Sequence, residues 1–140
     1  MSLSPNSIVT PQTPNAKTCV CTTGNTTYSD TPTNTQVLYT AGAQGARLTR
    51  ITALARGAVA TNPNELQLYR DFDGSGSAKR LFLSKEMSIR AAPSGIAAQP
   101  AVDFGYSDLN PLTLAPGEKL YAAIGANNTG IVFNAEGADY

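Results

Sequence analysis

Cys19 and Cys21 carry the most reactive side chains in this sequence, and a single Val separates them. In an extended segment, residues two apart share a face. Their Cα atoms then lie roughly 6.5–7 Å apart, at or beyond the usual reach of a disulfide. A bond between the two therefore needs local bending. The alternatives are free thiols, which synthesis in a reducing cytosol favours, or a bond from each Cys to a different chain. No other Cys offers an internal partner. A zinc site is not expected, because one Cys pair without His supplies half of the ligands.

The chain has no histidine. That removes the usual general base, the Ser-His and Cys-His pairs and the commonest transition-metal ligand. There is no Gly-x-Ser-x-Gly elbow, no Walker loop and no dinucleotide fingerprint. The expectation is a protein that is not an enzyme, with no catalytic residues and no cofactor. One constellation needs a closer look. Asp71-Phe-Asp73-Gly-Ser-Gly76 resembles the start of an EF-hand loop, with carboxylates at positions one and three and a Gly at six. The twelfth position should be a bidentate Glu; here it is Phe82, so the match fails. The segment reads better as a β-hairpin tip, where Asp and Gly supply turn conformations between apolar strands. Asp71 with Asp73 is also the only close carboxylate pair for a small hydrolase. A hairpin tip shields chemistry poorly from water.

The elements that must position these residues change character near Thr35. Residues 1–35 carry two charges, Lys17 and Asp30, and are rich in Thr, Asn, Ser and Pro. The prolines at 5, 11, 14 and 32 disfavour helix. A β-like patch at 16–23 surrounds the cysteines. This composition buries too little apolar surface to order itself, so residues 1–35 are expected to form an extended arm that takes shape only against a partner. Residues 36–140 read as one all-β domain, an antiparallel β-sandwich. Strands are expected at 36–40, 47–55, 65–70, 119–125 and 131–135 from their alternation and bounding turns. In 47–55 the apolar phase changes between Leu48 and Ile51, which implies a bulge or burial on both faces. Residues 79–87 fit a strand or one to two helical turns. Pro116-Gly117 suits the centre of a type II turn. Residues 90–111 form a long, weakly patterned excursion, and its most varied patch is Asp103, Phe104, Tyr106 and Asp108. Long loops of this kind tend to make contacts.

Ten acidic and ten basic residues give a formal net charge of zero. Nothing favours attraction to nucleic acid or to an anionic membrane. No stretch of about 18 apolar residues suits a transmembrane helix, and the first residues lack the pattern of a secretory signal. Only 14% of residues are charged, which leaves the surface lightly guarded against association.

Several segments resemble a module of bacteriophage virion proteins. They are Leu38-Tyr-Thr-Ala41 before a Gly-containing loop, Leu48-Thr-Arg-Ile-Thr-Ala53, Leu66-Gln-Leu-Tyr69, Leu114-Ala-Pro-Gly-Glu-Lys-Leu120, Gly130-Ile-Val-Phe133 and Glu136-Gly-Ala-Asp-Tyr140. The resemblance runs from Val37 to Tyr140. It implies a sandwich of jelly-roll or immunoglobulin-like kind that serves as a capsid decoration protein, a head fibre, or a neck or tail attachment. It brings no catalytic residues. The expected role is a structural component of a phage particle, made in the host cytoplasm and found in the virion. The leading form is a decoration or cement protein on the head. Its partners would be the major capsid protein or another virion protein, and copies of itself, as in a trimer. The arm and its cysteines lie outside the shared pattern; Cys19 and Cys21 are the candidates for an intersubunit disulfide that would lock the arm to a neighbour. The alternatives are a neck or tail accessory, or a receptor- or glycan-binding tip that uses Asp103, Phe104, Tyr106 and Asp108.

Overall fold

A computed structural model describes residues 11–140 of the chain. Nine strands follow one another: β1 (Thr13–Cys21), β2 (Gln36–Thr40), β3 (Ala46–Ala55), β4 (Asn64–Asp71), β5 (Arg80–Met87), β6 (Val102–Asp103), β7 (Leu112–Leu114), β8 (Lys119–Ile124) and β9 (Ile131–Asp139). There is no helix among the described residues. The strands make two antiparallel sheets. The first runs β1-β9-β3, with β6 and β7 sharing the far edge of β3; the second runs β2-β8-β4-β5.

Alternation fixes which face of each sheet is buried. From the first sheet, Leu48, Ile51, Ala53, Ile131, Phe133 and Ala135 point inward. From the second, Leu38, Leu66, Leu68, Leu120, Ala122 and Ile124 do so, and all belong to one apolar cluster. The phase change in β3 is a bulge: the register with β9 shifts between Leu48 and Arg50. Gly137 faces that irregularity, and a Cβ there would run into the Arg47 carbonyl. Glu118 N–H donates to Ala115 O at 3.0 Å and Gly117 has φ +71°, as a Pro-Gly type II turn requires. Residues 80–87 are a strand, not a helical turn. The register with β4 slips between Leu68 and Tyr69, and this breaks the alternation that would have marked the strand.

The leading segment behaves differently from the expectation of an arm ordered only by a partner. Residues 1–10 of the expected arm lie outside the described residues. Residues 13–21 pair in antiparallel register with β9 of the same chain, from Thr13 opposite Asp139 to Cys21 opposite Ile131. Residues 22–35 then cross the outer face of the second sheet. The composition argument weighs side-chain burial, whereas this segment is held by backbone pairing and polar side chains, which composition does not register. Pro14 and Lys17 on the exposed edge of β1 are residue types that discourage edge-to-edge pairing.

Candidate functional site

The chemistry-bearing residues fall into separate clusters. The cysteines lie on the inward side of β1. Cys21 is 1% exposed and its Sγ approaches Ala122 O at 3.5 Å; Cys19 is half-buried, and both are free thiols. A hydrogen bond with Cys21, together with burial, pushes the Cys19 thiol far above its ordinary pKa. Neither group is a ready nucleophile. The pair of intersubunit bonds expected from Cys19 and Cys21 therefore meets an obstacle at Cys21, which would have to leave the core to reach another chain. In the native protein a maleimide should react slowly, at one thiol per chain, with Cys19 as the site; in denaturant both should react at once. Fast labelling of Cys21 under native conditions, read by peptide mass, would contradict this placement.

The expected contact patch is divided by burial. Phe104 is 5% exposed: its N–H donates to Ile51 O at 3.0 Å, and its ring lies 6.2 Å from that of Phe133. It is a core residue and cannot serve as an exposed ligand platform. Asp103 turns its carboxylate back to accept from Gly105 N–H at 2.8 Å. Tyr106 is half-buried against the core, and burial raises its pKa while the nearby Arg70 charge opposes the rise. Asp108 is exposed, and its backbone carbonyl accepts from Arg47. Of the four, only Asp108 offers a free side chain on the surface, so the structure does not bring them together as a pocket.

Asp71 and Asp73 sit at the β4–β5 hairpin, and both carboxylates serve the turn. Asp71 Oδ2 accepts from Gly76 N–H at 2.6 Å, and Asp73 Oδ1 accepts from Ser75 N–H at 2.9 Å. The Ser75 contacts hold the Asp73 carboxyl below the usual range. No group of three or more His, Cys, Asp or Glu among the described residues could hold a metal ion.

Two polar clusters escaped the sequence reading. Arg70 and Leu120 face each other in register, on the core side of the second sheet. The Arg70 guanidinium meets Glu118, with Nε–Oε2 at 2.6 Å and Nη2–Oε1 at 3.0 Å, and Nη2 also donates to Thr113 O at 2.8 Å. It lies 4.7 Å from the centroid of Phe72 and 5.6 Å from that of Phe82. Glu118 is fully buried and also accepts from Ala115 N–H at 2.9 Å. A bidentate charge pair of this kind is rigid and specific in geometry, and it links β4 to β7 and to the turn before β8.

The second cluster centres on Asn25, which is 5% exposed. Its Nδ2 donates to Gln67 Oε1 at 2.9 Å and Tyr69 Oη at 2.8 Å. Its Oδ1 accepts from Thr27 N–H, Thr33 N–H and the Thr33 hydroxyl at 2.9–3.0 Å. Tyr28 donates to Glu65, Asp30 pairs with Arg80 at 3.1 Å, and Lys79 Nζ lies 4.2 Å over the Tyr121 ring. Residues 22–35 thus form a polar lid that buries the outward-facing Gln67 and Tyr69. Neither cluster has a sequence signal: Arg70 and Glu118 are 48 residues apart, and Asn25 sits in an ordinary polar stretch. Neither a protein-family model nor a curated protein sequence matches the chain.

Proposed function

We propose that this protein is a structural component of a phage particle, in its leading form a decoration or cement protein on the head. One observation carries the reading: the strand pairs are nested. β1 pairs with β9, β2 with β8, β3 with β6 and β7, and β4 with β5. A chain folded once into a long hairpin and then rolled into two sheets has this order. With β6 and β7 taken as halves of one interrupted strand along β3, each sheet has four strands. That nesting supports the jelly-roll reading of the sandwich, an architecture used by viral capsid and lectin domains. An immunoglobulin-type sandwich instead orders its sheets A-B-E-D and C-F-G, which pairs the first strand with the second and not with the last. Because a fold alone does not fix a function, the polar clusters add a second support. Glu118, Asp71 and Asn25 direct their polar groups at this chain's own backbone and side chains, as a rigid building block would.

On this reading the partners are the major capsid protein or another virion protein, together with copies of the chain. Only Cys19 could serve an intersubunit disulfide with β1 left in place. The experiment is to label the C-terminus in purified particles and image them in negative stain. Label over the whole head is expected. Label confined to the neck or tail would replace the head reading with the accessory one, and particles without label would end the virion reading.

A further inference from the structure

Cys19 and Cys21 take no part in the two polar clusters or in the turns. β1 alternates, so both side chains fall on one side of the strand. That side faces the core: Cys21 belongs to the apolar cluster between the sheets, and Cys19 packs against it. Their register with β9, opposite Phe133 and Ile131, is unbroken. The backbone between them is therefore extended, with Cα atoms roughly 6.5–7 Å apart. A disulfide holds its sulfurs at about 2 Å and usually brings the Cα atoms closer than that. Forming one would bend β1 away from β9. The thiols are nevertheless near enough to hydrogen-bond to each other. The strand as it stands suits a bridge one atom longer than a direct S–S bond.

The donors decide what that atom is. Among the described residues no His, Asp or Glu joins the pair to make a set of three, and the chain has no histidine at all. Zinc takes four ligands and hard cations take oxygens, so neither is satisfied here. Thiolates select soft cations. A monovalent d10 cation such as Cu(I) or Ag(I) is satisfied by two sulfurs in line. Two metal–sulfur bonds of about 2.3 Å each place the sulfurs about 4–5 Å apart, a span that an extended β1 holds without leaving β9. We propose that Cys19 and Cys21 form a two-coordinate site for a soft monovalent cation within one chain. Binding changes no oxidation state: two S–H bonds break, two metal–sulfur bonds form, and both protons pass to the buffer. The complex carries one negative charge. Lys17, the only charged residue of β1, lies two residues from Cys19 on the same side of the strand and offsets it. Cys21 is sealed from water, so the cation enters by way of the half-buried Cys19. A loaded site also withholds Cys19 from any bond to another chain.

The test uses the purified, reduced full chain with Ag(I) or Cu(I) alone, and does not depend on where the protein sits in a particle. Native mass spectrometry should show one cation per monomer, with two protons displaced. X-ray absorption at the metal edge should show two sulfur neighbours. Maleimide should no longer reach Cys19 once the cation is bound. Cys19→Ser should weaken binding by about a hundredfold or more, since even a residue that only supports a metal ligand costs about 10–100-fold. The thermal transition of that variant separates loss of the site from loss of the fold. Zn(II) should not bind. The proposal is overturned by the absence of a bound cation, by a cation shared between two chains, or by a folded Cys19→Ser that binds as tightly as the wild type. Faster amide exchange along β1 on loading would overturn the claim that the strand holds the ion in place.

Discussion

Replacing Glu118 with Ala should destabilise the fold by about 3–5 kcal/mol, the usual result of removing one partner of a buried ion pair. Three contacts disappear together. Arg70 loses both carboxylate oxygens, at 2.6 and 3.0 Å, and Ala115 N–H loses its acceptor at 2.9 Å. The Arg70 side chain is only 20% exposed, so water cannot readily take the place of the carboxylate. A domain of this size has about 5–15 kcal/mol in all, so the variant should unfold at much lower urea. Two further variants separate charge from packing. Glu118→Gln keeps the shape and one acceptor and should lose less than Glu118→Ala. Arg70→Met combined with Glu118→Leu removes both charges and should recover most of the loss, since apolar replacement of a buried pair is often close to neutral. A loss below about 1 kcal/mol for Glu118→Ala would mean that the pair is solvated in solution.

That pair also shows what the sequence conceals. Glu118 follows Pro116-Gly117, so locally it reads as one more polar residue at an exposed turn. Its burial depends on Arg70, a residue of another strand that arrives through the β4–β8 pairing. The strands themselves were legible where alternation was clean, as in Glu65-Leu-Gln-Leu-Tyr and in Lys119-Leu-Tyr-Ala-Ala-Ile. The β3 irregularity was legible too, because a bulge shifts the apolar phase and the shift is written in Leu48 and Ile51. β1 was only partly legible. Its patch around the cysteines was visible, but its partner was not, since nine residues of backbone pairing with β9 leave no mark on side-chain composition. Phe104 misled for the opposite reason. Asp103 before it and Gly105 after it suggest an exposed loop, yet one hydrogen bond from its N–H to Ile51 O holds the backbone where the ring enters the core. Local pattern reports the alternation of a strand; it does not report which distant strand a loop residue will meet.

The lid over the second sheet gives the other large effect. Asn25→Ala removes two donated and three accepted hydrogen bonds at once. Gln67, which is fully buried, loses a donor to its Oε1, although Tyr69 Oη still donates to that oxygen at 2.8 Å. Thr27 and Thr33 N–H groups lose their acceptor. Each buried polar group left without a partner costs about 1–3 kcal/mol, and water entering a loosened loop recovers part of it. A net loss of about 2–4 kcal/mol is expected in urea titration. The chain has no Trp, so tyrosine fluorescence and backbone circular dichroism are the probes. Amide exchange should also quicken through residues 22–35 and leave the β3–β9 pairing protected. Asn25→Asp tests the geometry more sharply. It keeps the three accepted bonds but turns an acceptor toward Gln67 Oε1, so a side chain of nearly the same shape should do no better than Ala. If Asp were tolerated as well as Asn, the Nδ2 bonds would carry no weight and the lid would rest on its threonines. If instead both variants open the lid and spare the core, residues 22–35 are a unit that packs on a sheet already complete without it.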